Sequence, residues 1–333
     1  MSKAFWKNKR VLVTGYAGFL GSHLVKNLLH NEARVTGLDI KVRPHNQILE
    51  NTELSMVKDF KGNAADFSLV YKILRREKPE IIFHLAAEAL VGRCLSHPRR
   101  AFRSNITGTW TLLEACRQYG QLEAIICASS DKAYGRSKDL PYRETFALAG
   151  EHPYDVSKSC ADLIARTYFH TFNLPVAVVR SGNIFGPGDF NFSRLVPDCI
   201  RAAIRGQTFK IRSNGRFTRD YVYIEDAATG YLKLAEQLRE KNLAGEAFNF
   251  SLEQPVSVLE LVQKIYRLSG KIPKYQIRQT ACFEIPHQYL SARKARQILG
   301  WRPLMTLDGG LKITIDWYRK YLENSTGAAR KNK

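Results

Sequence analysis

At 333 residues, 44% of them apolar and 25% charged, the chain has the balance of a folded globular protein, not of a disordered or fibrous one. No run approaches the roughly 20 apolar residues of a membrane span, and the stretch from Met1 to Lys7 lacks the apolar core of a secretory signal. The 51 Lys and Arg against 31 Asp and Glu leave a formal charge of +20, spread along the chain with one local cluster at Arg99, Arg100 and Arg103, which suits anionic partners.

The first element is a strand over Arg10–Thr14, ending in Gly15-Tyr16-Ala17-Gly18-Phe19-Leu20-Gly21, with a helical pattern at Leu20, Leu24 and Leu28. Glycines at Gly15, Gly18 and Gly21 allow a tight turn and let a pyrophosphate approach the backbone at a helix N-terminus. The spacing is Gly-x-x-Gly-x-x-Gly, a variant of the usual dinucleotide fingerprint. A second strand, Val35–Asp39, closes on Asp39, placed to accept from a ribose 2′-hydroxyl. That carboxylate repels a 2′-phosphate and favours NAD over NADP, while Lys41 and Arg43 soften the repulsion.

Asp66 reads as the N-cap of a helix through Arg76, with Phe67, Val70, Ile73 and Leu74 on its apolar face. Strands follow at Ile81–Leu85, Ala124–Ala128 and Val176–Arg180. Alternating strands and helices predict an α/β fold, a doubly wound parallel sheet of Rossmann type. Its ligands belong at the carboxyl ends of the strands. Gly15, the stretch Ser129 to Lys132, and Ser181 to Asn183 fall there.

Tyr154 and Lys158 lie four apart in a predicted helix and share a face. A neighbouring ammonium is expected to lower the phenol's pKa, so that Tyr154 takes a proton from a hydroxyl while hydride leaves the same carbon. After Gly186-Pro187-Gly188 the alternation stops, which predicts a smaller mixed α/β C-terminal substrate domain. The expected division is 1–180 for the nucleotide, with a return of the chain around 217–250, and 181–323 mainly for the substrate. A last helix is expected from Asp308 to Tyr321, then a disordered basic tail over 324–333. The six cysteines, Cys94, Cys116, Cys127, Cys160, Cys199 and Cys282, are scattered and read as core thiols of a cytoplasmic protein, with no metal site.

Together these residues resemble the extended short-chain dehydrogenase/reductase family, in its nucleotide-sugar branch. The likeness adds His84-Leu85-Ala86-Ala87, Asn105-Ile106-Thr107-Gly108-Thr109, the block from Arg180 to Pro187, and Arg219-Asp220-Tyr221-Val222-Tyr223. It implies a cofactor site that includes Asn63, Leu85, Ala86, Ala87 and Asn105. It implies substrate contacts from Ser130, Asn183, Arg194 and Arg219, the last as a guanidinium fork for the diphosphate. Ser129-Ser130-Asp131-Lys132 resembles the 4,6-dehydratases, in the CDP-glucose group rather than the dTDP-glucose group. Dehydration needs an acid at the C6 hydroxyl, the expected role of Asp131, and a base at C5, for which Lys132, Glu144 or water stay open. Lys132 fits only if burial or a cationic neighbour keeps it neutral. The alternatives are a nucleotide-sugar 4-epimerase, which has no need of Asp131, and a non-enzymatic RNA-binding protein of NAD fold. Gly62-Asn63 stands where Gly-Asp is usual, Glu88 where glutamine is frequent, and no arginine occupies Gln288 to Ser291. The family habit further implies a homodimer.

Overall fold

The computed structural model describes residues 3–41, 48–281 and 283–331, with side chains as far as 323. Arg43 and Cys282 lie outside the described residues. Seven strands form one parallel sheet: β1 (Arg10–Thr14), β2 (Arg34–Asp39), β3 (Lys58–Lys61), β4 (Ile81–His84), β5 (Ala124–Ala128), β6 (Val176–Ser181) and β7 (Ala247–Phe250). Their order is β7-β6-β5-β4-β1-β2-β3.

Successive residues of the central strands face opposite sides, and both sides are apolar. Val11, Val13, Ile81, Phe83 and Ile126 pack with Leu24, Val25 and Leu28 of α1 (Phe19–His30). Leu12, Ile82 and Ile125 pack with Val70, Ile73 and Leu74 of α2 (Phe67–Glu77) and Leu112 and Leu113 of α3 (Gly108–Tyr119). Each such side chain, once buried, is worth about 1.5–3 kcal/mol. Both faces therefore demand helical cover, and the sheet is doubly wound. Asp66 caps α2 as expected, its Oδ1 accepting from Leu69 N at 3.0 Å.

The five strands expected from the sequence are present to within a residue at each end. Two more were not predicted. β3 is Lys-Asp-Phe-Lys, an edge strand whose charges hide any apolar run. β7 is the part of the 217–250 return that enters the sheet, beside β6. Strand order reverses between β1 and β4, opening a crevice at the carboxyl ends where Gly15 and Leu85 stand.

The catalytic motif opens α4 (Pro153–Phe172). A second apolar cluster joins α5 (Leu195–Arg205), α7 (Val258–Leu268) and α8 (Leu307–Lys331) around Ile200, Leu261, Ile265, Leu311 and Ile315, while α6 (Ile224–Gln237) returns to cover the sheet beside α1. The helix expected to stop at Tyr321 continues to Lys331. No helix among the described residues is long and apolar enough to cross a membrane.

Candidate active site

Gly15 takes φ +75° and donates its N–H to Leu38 O at 2.8 Å. A Cβ there would stand 2.7 Å from Ala86 N, and one on Gly21 would stand 2.1 Å from Gly15 O. Both positions therefore need glycine, the first for its backbone angle and the second for close packing of α1 on the turn. Gly18, extended, precedes α1 with no side-chain cap, which leaves first-turn N–H groups for an anion. Phe19 meets His23 edge-on at 5.7 Å, and Leu20 packs on both apolar clusters. The Asp39 carboxylate is preset by the turn, Oδ2 accepting from Ala17 N at 3.2 Å and Oδ1 from Lys41 N at 3.1 Å. Burial raises its carboxyl. Asn63 lies exposed beyond β3; its Oδ1 accepts from Ala65 N at 2.9 Å, which leaves the amide nitrogen for a ligand.

A buried chain of hydrogen bonds joins this turn to the catalytic helix. Ala86 N donates to Thr14 Oγ1 at 3.3 Å, which lies 2.8 Å from His84 Nδ1. His84 Nε2 is 3.1 Å from Thr109 Oγ1, whose hydroxyl donates to Asn105 O at 2.6 Å. Burial pushes His84 down to about 3, so the ring is neutral. With Thr109 donating onward, Nε2 carries the proton and Nδ1 accepts from Thr14. Asn105 lies in a π-helical turn, Arg103–Thr107, a feature frequent at functional sites. Its Oδ1 accepts from Glu88 N at 2.7 Å, and its Nδ2 donates to Glu88 O at 3.1 Å and Ser157 Oγ at 2.9 Å. Ser157 in turn donates to Tyr154 O at 2.7 Å. Leu85, Ala86 and Ala87 are thus threaded between the glycine turn and α4.

Tyr154 is half-buried, and its phenol is pushed up rather than down. Burial is the main cause; the Ser130 hydroxyl and the charge of Arg194 pull the other way. This corrects the expectation that Lys158 lowers it. Lys158 Nζ donates to Ala128 O at 2.8 Å, and burial drops the lysine itself to about 8.

Ser130 Oγ donates to Asp131 Oδ1 at 2.9 Å. Asp131 is only 3% exposed, and its Oδ2 is buried with no partner among the described residues. Lys132 Nζ donates to Gln288 Oε1 at 2.7 Å. Burial lowers Lys132, Arg219 lowers it further, and Asp131, Asp155 and Glu284 oppose this. Asp155, buried beside Tyr154, is pushed up to about 6 by burial, against the pull of Lys132. Gln288 and Asp155 were not expected here. Asp155 could have been noticed as an acid inside the catalytic motif; nothing in the sequence signals Gln288, which reaches Lys132 only through the fold.

On the substrate side, Asn183 N donates to Asp220 O at 2.9 Å. Arg219 is 8% exposed and donates to Thr218 O at 2.9 Å and Pro286 O at 3.1 Å, with Glu284 at 3.4 Å. Arg194 donates to Asp189 at 3.1 Å and its charge reaches Tyr154. Glu144 is committed elsewhere, Oε1 accepting from Asn249 N at 2.8 Å, so it is a poor candidate for a base. Ser129 Oγ, Asp131 Oδ2 and Asp220 Oδ1 are buried without a partner among the described residues. Such atoms are rare in folded proteins. No group of His, Cys, Asp and Glu among the described residues could hold a metal ion.

Comparison with known proteins agrees with this arrangement. The chain is 31% identical to CDP-glucose 4,6-dehydratase of Salmonella typhimurium, over 97% of this chain and 94% of that one. It is 29% identical to a trifunctional UDP-glucose 4,6-dehydratase/UDP-4-keto-6-deoxy-D-glucose 3,5-epimerase/UDP-4-keto-L-rhamnose-reductase of Arabidopsis thaliana, covering 96% of this chain but only 48% of that longer protein. The crystal structure of UDP-glucose 4-epimerase from Thermotoga maritima superposes with a TM-score of 0.84 at 28% identity, covering 94% of this chain and 99% of that one. Residues 11–250 match the NAD dependent epimerase/dehydratase family, and the chain belongs to that family.

Proposed function

We propose that the protein is a nucleotide-sugar 4,6-dehydratase, acting on a nucleoside-diphosphate hexose of the CDP-glucose kind to give a 4-keto-6-deoxy sugar. The observation that carries this reading is Asp131: a buried carboxylate, joined to Ser130 and bare at Oδ2, beside the phenol of Tyr154. A 4-epimerase shares the fold and the phenol but has no use for that acid.

In this reading Gly15, Gly18, Phe19, Leu20 and Gly21 hold the cofactor pyrophosphate, Asp39 the ribose and Asn63 the adenine. Leu85, Ala86, Ala87 and Asn105 line the nicotinamide side. The glycine turn fits that group, since Gly18 leaves the first turn of α1 without a side-chain cap. Bound NAD+ supplies a hydride acceptor at C4, a hydride donor at C6, and positive charge beside the phenol. Arg219, Arg194 and Asn183 meet the diphosphate. Tyr154 takes the C4 hydroxyl proton. Because burial disfavours a phenolate, the proton it already carries needs an exit, and the Ser130 hydroxyl leads from the phenol to Asp131. Asp131, so protonated, delivers that proton to the departing C6 hydroxyl. Lys132, lowered by burial and by Arg219, takes the C5 proton. Asp131 and Lys132 end as an ion pair; as the hydride returns to C6 the Lys132 ammonium gives a proton to C5, and both groups regain their starting states.

We assign residues 1–180 chiefly to the cofactor and 181–323 to the sugar nucleotide, in a cytoplasmic homodimer. Exposed Trp110 on α3 and Leu163 on α4 support pairing through those helices. The test of function is a substrate deuterated at C4, offered as CDP-, dTDP-, UDP- and GDP-hexoses with NAD+. The label is expected at C6 of a 4-keto-6-deoxy product, with solvent hydrogen at C5. Label retained at C4 in an inverted hexose would make the protein an epimerase.

A further inference from the structure

Gln288 is fully buried, yet it lies far from every sequence motif of the site. Its Oε1 accepts from Lys132 Nζ at 2.7 Å. Its Nε2 faces the Tyr142 hydroxyl, which donates to Gly135 O at 2.6 Å and keeps lone pairs to accept from the amide.

The identity of the group matters. An amide oxygen accepts an N–H from either protonation state of an amine. It fixes the nitrogen in place without adding the negative charge that would trap it as ammonium. The charged groups around Lys132 are Asp131 on its own turn, Asp155 on α4, Glu284 in the loop before Gln288, and Arg219. Three acids face one guanidinium there, so a fourth acid at residue 288 would hold the lysine charged.

We propose that Gln288 is the positioning residue for Lys132, a neutral acceptor that aims its Nζ at the sugar while letting it give up its proton. This deepens the dehydratase reading and rests on it for the role of Lys132 as the C5 base. The chemistry balances: the C5–H bond breaks, its proton bonds to Nζ, its electron pair forms the C5–C6 double bond, and the C6 hydroxyl leaves as water with the proton of Asp131.

The test uses the full chain and the variants Gln288→Glu and Gln288→Met. Lysine ε-carbon NMR titration without substrate, with Lys132 assigned through Lys132→Arg, reads the amine directly. In Gln288→Glu its titration is expected to move up by about one unit or more, and the rising limb of kcat against pH to move with it. At pH 7 kcat then falls about ten-fold per unit and recovers at higher pH. Gln288→Met, similar in size and uncharged, is expected to lower kcat about ten-fold with no upward shift, and thermal unfolding confirms that each variant is folded. An unshifted Lys132 titration in folded Gln288→Glu overturns the proposal. A shifted titration in a protein that leaves every nucleotide hexose unchanged overturns the dehydratase reading and leaves the pairing of Gln288 with Lys132 standing.

Discussion

At the turn between β1 and α1 the polar groups answer one another: Thr14, His84, Thr109, Asn105 and Ser157 form a closed chain, and Asp39 is bonded to backbone N–H groups on both oxygens. At the end of β5, by contrast, Asp131 and Ser129 each keep a buried polar atom with no partner among the described residues. In the first region the side chains of this chain are bonded to one another, and the groups left over are the first-turn N–H groups of α1. The second holds its groups in readiness, which costs stability because a buried unsatisfied donor or acceptor forfeits about 1–3 kcal/mol. The contrast suits their tasks. A cofactor that is regenerated each turn needs a rigid seat, whereas the sugar side must stabilise charge and protons that appear only during reaction.

Several substitutions can break or sharpen that contrast. Tyr154→Phe removes the proton acceptor and should lower kcat by about 10³–10⁴-fold, with folding and NAD affinity little changed. Near wild-type product formation would end the assignment of the phenol. Asp131→Asn should lower kcat by about 10²-fold while the unfolding temperature holds or rises, since the carboxylate has an unpaired buried oxygen. A clear loss of stability there would make Asp131 a structural group like those of the cradle. Gly21→Ala should do the opposite. A Cβ 2.1 Å from Gly15 O forces the turn open, at about 1–3 kcal/mol, so calorimetry should show lower stability together with weaker NAD binding.

Asp155 gives the smallest effect and a defined pH window. Its folded value, about 6, lies above the model-peptide value, which is about 3.9. The folded state therefore binds the proton more tightly, and stability is lost as pH rises from about 4 through about 6. The full shift corresponds to about 1–3 kcal/mol. Asp155→Asn should remove this slope and stabilise the protein near pH 7 to 8. Denaturant unfolding at pH 4, 5, 6 and 7 checks it, and an unaltered slope would place the titration on another group.

Much of this was legible in the sequence because it is local. The glycines of the turn, Asp39 at the end of β2, the cap at Asp66 and the pair Tyr154/Lys158 are written in consecutive residues, and the alternation of strand and helix predicts the parallel sheet. β3 was hidden because an edge strand needs no apolar run. The register of Tyr154 and Lys158 was readable, but not the direction of the phenol's shift, since burial is a property of the whole fold. Likewise Gln288 meets Lys132 across 156 residues of chain. The sequence determines which groups stand within a few residues of each other. Only tertiary packing decides which of them are stripped of water and which distant partners they find, and in a low-dielectric interior those two things set the proton affinities on which the chemistry depends.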